Sequence, residues 1–453
     1  LWFVTGQSGH YIPSVVFAAR SSAQEFPVPK RPSPTRRGFL KTSAATAGVA
    51  VAAPYIITSK ALGDATTPPA SDRIVMAGIG LGNMGSGDQR AFLGMPEVQY
   101  VAVCDVRKQW RTDAKNRTDE KYGTTDCAAV VDFRDLLARD DIDAVHIATP
   151  DHWHSIMMIA ACRAGKDVYL QKPETLTLHE GPLMIAAARR YGRVVSGGSQ
   201  RVLDDYRSIV DPCWAGEIGR ITSIDLSIGP PAMACYLPAV ATPDSIDWDL
   251  WLGPAPWEPY NPGRCDGNFG TGGNSWRSYI DYSGGSLTDW GAHNFGGTIF
   301  AAGLLDLQPQ KIAYQAAAAD GTSPASVSLL YPNGVEMHCN RSPQAQPRDV
   351  AASVTHERGI TIRGDGQPVA PRPVPMYKDR GSIYGDFIAC VKTRERPFRD
   401  IEFGVNTMTA PHMVALAGRL QRSLEWDRAT QQFVGDEEAN RLLDRARREP
   451  WTL

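Results

Sequence analysis

A short β-branched run, Arg73-Ile74-Val75-Met76-Ala77-Gly78-Ile79, leads without a break into Gly80-Leu81-Gly82-Asn83-Met84-Gly85 and then into a proline-free stretch. Strand, glycine turn and helix in that order form a βα unit that binds a dinucleotide. Gly80 permits the tight turn, Gly82 lets backbone N–H groups approach a pyrophosphate, and Gly85 allows the helix to pack closely on the strand. The helix N-terminus then faces the anion, so the whole turn, including Asn83 and Met84, belongs to the cofactor-binding set. A second apolar run, Val98–Cys104, ends at Asp105, 20 residues beyond Gly85. An acid there accepts hydrogen bonds from the adenosine ribose and repels a 2′-phosphate, which favours NAD, while Arg107 two residues on keeps NADP open.

Further apolar runs at 144–148, 167–170 and 193–196 alternate with helical patterns at 133–139, 155–164 and 178–191, which predicts a doubly wound parallel sheet. Ligands sit beyond the carboxyl ends of such strands. The site candidates are therefore Thr149-Pro150-Asp151-His152-Trp153-His154, Gln171-Lys172-Pro173 and Gly197-Gly198-Ser199-Gln200-Arg201. Beyond about residue 200 the pattern turns to strands and turns, at 221–228, 311–319, 325–331, 335–339 and 359–363, broken by Pro/Gly-rich excursions such as 228–272. We expect a second, α+β domain on a mainly antiparallel sheet, with a late helix near 407–423 packing back across the structure. The fold class is α/β, with a Rossmann domain over 72–198 and the second domain over 199–453.

The remaining segment, 1–63, reads as a leader. Thr35-Arg36-Arg37-Gly38-Phe39-Leu40-Lys41, a weakly apolar Ala/Gly/Ser/Thr stretch, then Lys60 and Ala61-Leu62-Gly63 follow the grammar of a twin-arginine export signal. It implies the twin-arginine translocase as a transient partner and a periplasmic or otherwise exported destination. The 453 residues carry 47 Lys+Arg against 49 Asp+Glu, without a basic stripe, so nucleic acid is not an expected partner. No run of about 18 strongly apolar residues predicts stable membrane insertion. The eight cysteines show no C-x-x-C and no regular spacing, so neither a zinc ribbon nor a disulfide framework is expected. His152 and His154 lack the i, i+4 spacing of a helical zinc pair, and no metal is assigned.

Beside these motifs stand Ala148 through His154, the pair Lys172-Pro173, and Gly284-Gly285-Ser286-Leu287-Thr288-Asp289-Trp290-Gly291-Ala292-His293. From about residue 72 to its end the chain resembles the Gfo/Idh/MocA family of nicotinamide-dependent oxidoreductases, which includes glucose–fructose oxidoreductase and inositol dehydrogenases. Arg396-Pro397-Phe398, Leu424-Glu425-Trp426-Asp427 and the 439–451 tail resemble its exported, sugar-related branch. Gln171 departs from the glutamate the family carries before the lysine, and Gly296-Gly297 from an acid it often carries after the histidine.

Oxidising a carbinol needs a base beside the nicotinamide. Lys172, at a strand's carboxyl end on the rim of the glycine turn, suits that role if partly desolvated and close to other cations; read alone, it is also an ordinary solvated lysine. Asp289 and His293 are four residues apart in a segment expected to be one helix with Ser286 as N-cap. Their side chains then share a face, where the Asp orients the imidazole and favours its charged form. A capping box with an incidental histidine fits the same spacing. The resemblance implies that Lys172, Asp289 and His293 form a set that binds the reacting hydroxyl and relays its proton. It also places Thr149, Pro150 and His154 on the nicotinamide side. Trp153, Gln200, Trp276 and Arg277, with Asp289 and His293, are the substrate candidates. The second sheet is expected to carry the substrate wall on one face and homo-oligomer contacts on the other.

Export implies a tightly held NAD, with NADP possible, regenerated in place, since no free nicotinamide pool exists outside the cytoplasm. The expected activity is oxidation of a hydroxyl on a sugar, polyol or glycoside. A redox-neutral, NAD-dependent glycoside hydrolase and a non-catalytic carbohydrate sensor are the alternatives.

Overall fold

The computed structural model describes Asp64 and residues 68–267, 275–320, 325–340, 352–374 and 380–453. The arginine pair Arg36-Arg37 and the leader motifs lie outside the described residues. The first sheet contains β1 (Ile74–Ile79), β2 (Val98–Cys104), β3 (Ala128–Val130), β4 (Ala144–Ile147), β5 (Asp167–Leu170) and β6 (Val195–Ser196). Their order is β3-β2-β1-β4-β5-β6, and every pairing is parallel. All four residues of β4 and of β5 are buried, as expected where helices cover both faces. The expected strands are present, β6 being shorter than predicted. The strand β3, inside the apolar run Cys127-Ala128-Ala129-Val130-Val131, is not among the expected strands.

The second sheet contains β7 (Ile221–Leu226), β8 (Lys311–Gln315), β9 (Ser326–Leu330), β10 (Glu336–Cys339), β11 (Ala352–His356), β12 (Ile360–Gly364), β13 (Leu424–Asp427) and β14 (Gln432–Phe433). Its order is β11-β12-β7-β10-β9-β8-β13-β14, antiparallel except where β10 runs parallel to β7. One face is apolar: Ile224, Leu226, Val327, Leu329, Met337 and Ile362 pack against the helices Arg207–Ala215, Gly291–Ala302 and Ile401–Leu420. The period-2 alternation of β9 places Val327 and Leu329 inward and the serines outward.

The late helix spans Ile401–Leu420, earlier than its predicted start, and it does pack across the structure. Ile401 and Val405 join the core of the first sheet, while Met413 and Val414 join that of the second. The helix Ile383–Thr393 also returns to the first sheet, where Ile383, Phe387 and Cys390 pack with Phe92, Tyr100 and Tyr169 of the nucleotide-binding half. Ser382 caps it, its hydroxyl accepting from the Gly385 N–H.

A Cβ placed on the buried Gly85 would lie 1.8 Å from the Gly80 carbonyl oxygen, whereas one on Gly87, on the exposed face of the same helix, would meet nothing within 4 Å. Gly85→Ala is therefore expected to lower unfolding free energy by several kcal/mol. Gly87→Ala is expected to raise it by about 0.5–1 kcal/mol. Urea melts of the two variants check the pair, and equal effects would contradict the packing described.

Candidate functional site

The glycine turn has the geometry its sequence implies. Gly80 adopts φ +81°, donates its N–H to the Cys104 carbonyl at 2.9 Å, and lies so close to Ala148 and Thr149 that a Cβ would clash with their backbone. Gly82 is the N-cap of the helix Asn83–Leu93, with no side chain capping it, so the first N–H groups face outward. Asp105 at the end of β2 accepts from the backbone N–H of Leu81 at 2.7 Å and of Arg107 at 2.8 Å. Burial pushes its carboxyl up to about 6 against the pull of those two N–H groups. The acid therefore holds the turn as well as facing the cleft.

That cleft, of about 350 Å³, runs from the glycine turn past Asp105 and Trp110, across Thr149 and Pro150, to Lys172 and Arg277. Gly80, Gly82, Asn83, Met84, Trp153 and Trp276 also line it, whereas Gly85, His154, Gln200, Asp289 and His293 do not. Gly85 acts from behind, by the close packing already described. Thr149 Oγ1 is buried on the cleft wall without a hydrogen-bond partner among the described residues. A glycine turn with the Trp110 ring against Gly82, an outward helix N-terminus, an acid at the end of β2 and an unsatisfied hydroxyl together fit a dinucleotide.

Lys172 follows β5 and precedes a cis Pro173. Its Nζ donates to Asp289 Oδ1 at 2.8 Å and to the Asp289 carbonyl at 3.2 Å, and the two side chains are 10% and 7% exposed. Arg277 Nε donates to the same Oδ1 at 3.2 Å while its guanidinium lies 4.1 Å from the Trp276 ring centre. Burial would raise the Asp289 carboxyl, but Lys172 and Arg277 outweigh it and hold it below the usual carboxylate range. The desolvated lysine was expected among cations; a carboxylate stands between it and Arg277.

The structure corrects the expected Asp289–His293 pair. Residues 286–293 are not one helix: Ser286–Asp289 and Gly291–Ala302 are separate, joined at Trp290, and the N-cap is Gly285 rather than Ser286. Gly285 takes that place because its backbone bridges to Pro231, where a Cβ would lie 2.3 Å from the Ala232 nitrogen. Asp289 turns to the two cations, which hold a carboxylate more strongly than a neutral imidazole does. His293 instead meets Ser199 Oγ through Nδ1 at 2.7 Å. Nor is its charged form favoured. Burial pushes the imidazole well below its ordinary value, and Lys172, Arg201, Arg358 and Arg399 add to the effect.

Residues 151–154 form the first turn of the helix Asp151–Arg163, with Pro150 as N-cap, rather than a loop. His154 spans the Pro173 carbonyl (2.6 Å) and the Thr149 carbonyl (2.9 Å), tying together the ends of β4 and β5 from below the cleft. The indole of Trp153 donates to the Trp251 carbonyl at 3.2 Å and packs edge-on against Trp451, so it is a fixed part of the wall rather than a free sugar platform. His152 sits on the same carbonyl at 3.1 Å. Gln171 donates its amide to both oxygens of the buried Asp88, at 3.1 and 2.9 Å, and Tyr384 donates to one of them. A glutamate at 171 would set a second carboxyl against Asp88, which accounts for the departure at this position.

Asp151 stands among the strand-end candidates of the sequence, directly after Pro150, without an assigned role. Its Oδ2 accepts from Ser283 Oγ at 2.7 Å, and its Oδ1 is buried without a partner among the described residues. Burial, then the nearby Asp289, push its carboxyl up to about 8, against Ser283, Arg277 and Lys172. The folded protein thus holds a proton that the unfolded chain releases near pH 4. This contribution to stability is complete below the unfolded value and is lost as pH rises toward 8. Asp151→Asn is expected to match the parent near pH 4. Its advantage should then widen by about 1.4 kcal/mol per pH unit between pH 5 and pH 8. Urea denaturation across that range measures it, and parallel curves would exclude a protonated Asp151.

Two family models match the chain. An oxidoreductase-family, NAD-binding Rossmann fold matches residues 73–199, and the same family's C-terminal alpha/beta domain matches residues 232–453. A curated protein named glycosyl hydrolase family 109 protein, from Saccharopolyspora erythraea, is 33% identical over 164 residues, or 32% of this chain and 35% of that protein. One of the same name from Shewanella baltica is 32% identical over 173 residues, covering 34% and 37%. The chain thus spans about a third of the length of these curated relatives. Among solved structures, the WlbA dehydrogenase of Bordetella pertussis, in complex with NADH and UDP-GlcNAcA, aligns with a TM-score of 0.53. Its identity is 17%, over 78% of this chain and 98% of that one. This likeness shows the shared fold.

Proposed function

This chain belongs to the Gfo/Idh/MocA oxidoreductase family, and from that premise we propose that it is an exported, NAD-dependent oxidoreductase acting on a hydroxyl of a sugar, polyol or glycoside. The observation that carries the reading is the Lys172 ammonium, nearly buried on the wall of the dinucleotide cleft and fixed by Asp289 beside Arg277. The nicotinamide, when bound, supplies the two-electron acceptor. Lys172, in its amine form, accepts the proton that the substrate hydroxyl loses as the hydride leaves, and Asp289 fixes its direction. Arg277 and Trp276 offer a forked donor and an aromatic face to neighbouring hydroxyls. His293, neutral and held by Ser199, is the second proton-transfer group.

The cofactor is held tightly and the hydride is returned to a second substrate. We further propose assembly as a homo-oligomer and passage through the twin-arginine translocase to the periplasm. All eight cysteines are free and seven are buried, which supports folding before the chain meets an oxidising compartment.

The name of the curated relatives favours a second reading, a redox-neutral glycoside hydrolase. Transient oxidation at a ring carbon acidifies the adjacent C–H, elimination expels the aglycone, water adds, and the two electrons return to the sugar.

Denaturing the purified protein and identifying the released nucleotide, then assaying the native form on sugars and aryl glycosides, separates the two readings. Accumulating reduced cofactor supports the oxidoreductase, and aglycone release without net redox supports the hydrolase. Tight sugar binding with neither would leave a sensor. Lys172→Ala and His293→Ala are each expected to lower turnover by about 10²-fold or more while nucleotide is retained. Near-normal rates in both would overturn the assigned roles.

A further inference from the structure

The loop after β2 is where the adenosine ribose lies in a dinucleotide fold, and an arginine in this loop ordinarily receives the 2′-phosphate of NADP. Arg107 occupies that place, but its guanidinium is engaged elsewhere. Its Nη2 forms an ion pair with Asp266 Oδ1 at 2.5 Å, a charge contact without hydrogen-bond geometry, and the group lies 4.7 Å from the ring centre of Trp110, on the cleft wall. Asp266 arrives from 159 residues further along the chain, on an excursion of the second domain that is pinned to this loop. The Lys108 N–H donates to the Ser245 carbonyl at 2.8 Å, the Asp247 N–H donates to the Val106 carbonyl at 3.0 Å, and Arg107 bridges to Ile246. Trp251, Cys265 and Asp266 of the same excursion line the cleft.

Resting on the reading that this cleft holds a nicotinamide dinucleotide, we propose that Asp266 is a specificity-determining residue. It neutralises Arg107 and adds a second carboxylate beside Asp105, so that the site accepts NAD and rejects NADP. A 2′-phosphate carries nearly two negative charges at neutral pH. It would meet two carboxylates and a cation already paired, whereas the plain ribose of NAD meets acceptors for its hydroxyls. Asp105 alone does not set this preference, because both of its oxygens already accept backbone N–H groups and Arg107 lies within reach of any phosphate placed there. The second domain thus takes part in choosing the cofactor of the first.

The test is an equilibrium exchange. Purified full-length protein is incubated with mixtures of NAD⁺ and NADP⁺ and separated from free nucleotide, then denatured, and the released nucleotides are quantified. Asp266→Asn is expected to shift the bound ratio toward NADP⁺ by about tenfold or more, since a phosphate–arginine contact is a charge-assisted hydrogen bond. Arg107→Ala alone is expected to leave the ratio within threefold of the parent, because the arginine is already occupied, and in the double variant it abolishes the shift. An unchanged ratio in Asp266→Asn, or a loss of NADP⁺ binding in Arg107→Ala alone, would overturn the proposal. Asp266 is half exposed, and the Arg107→Ala arm decides the matter even where the first variant fails to fold. Recovery of no nucleotide from the parent would defeat the cleft assignment itself, a result distinct from an unchanged ratio.

Discussion

The ion pair between Lys172 and Asp289 is the contact on which the site's geometry depends. One partner follows the fifth strand of the nucleotide-binding sheet and the other sits on a four-residue helix of the second domain, 117 positions away. Two side chains this buried are costly to desolvate, and removing Asp289 leaves two neighbouring cations uncompensated at a cost of about 3–5 kcal/mol. The pair thus fixes the second domain against the rim of the cleft as well as orienting an amine, and Arg277 shares its carboxylate. A charge alone at this rim would be destabilising; three charges that satisfy one another form a rigid floor for chemistry.

Around that floor most polar groups are spent on backbone rather than left for ligands. His154 ties two strand ends, Asp105 ties the glycine turn, and Asp88 ties Gln171 to Tyr384 of a late helix. Burial drives His146 and His152 down to about 3 and His412 down to about 4, so these imidazoles are neutral. Burial also pushes His154 down to about 4, against the pull of the two carbonyls on its ring nitrogens, and as a neutral ring it donates to only one of them. Lys172, Arg277, Thr149 and Asn83 are polar side chains that line the cleft with capacity to spare.

The features legible in the sequence are those set by local rules. Apolar runs with turn chemistry give β1, β2 and β5, and Gly80 and Gly85 are required by backbone approaches that follow from the βα crossover. Lys172 was visible by its position at a strand end. The Asp289–His293 pairing failed because spacing does not show competing partners: the segment breaks at Trp290, Lys172 and Arg277 take the carboxylate, and Ser199 takes the imidazole. His154 and Trp153 looked available because a sequence does not show which carbonyls will take their N–H groups. The same limit hid Asp266, whose partner is 159 residues earlier, and Asp151, whose chemistry comes from Ser283 and burial.

The helix Ile383–Thr393 supplies part of the apolar filling beneath the nucleotide-binding sheet, although more than 180 residues separate it from that sheet's last strand. A chain that extends only as far as β6 lacks this filling, and Phe92, Tyr100 and Tyr169 lose part of their cover. The nucleotide-binding half thus does not close its core with its own residues alone. Cutting the protein at the boundary between its two halves is expected to yield an adhesive fragment instead of a self-sufficient nucleotide binder.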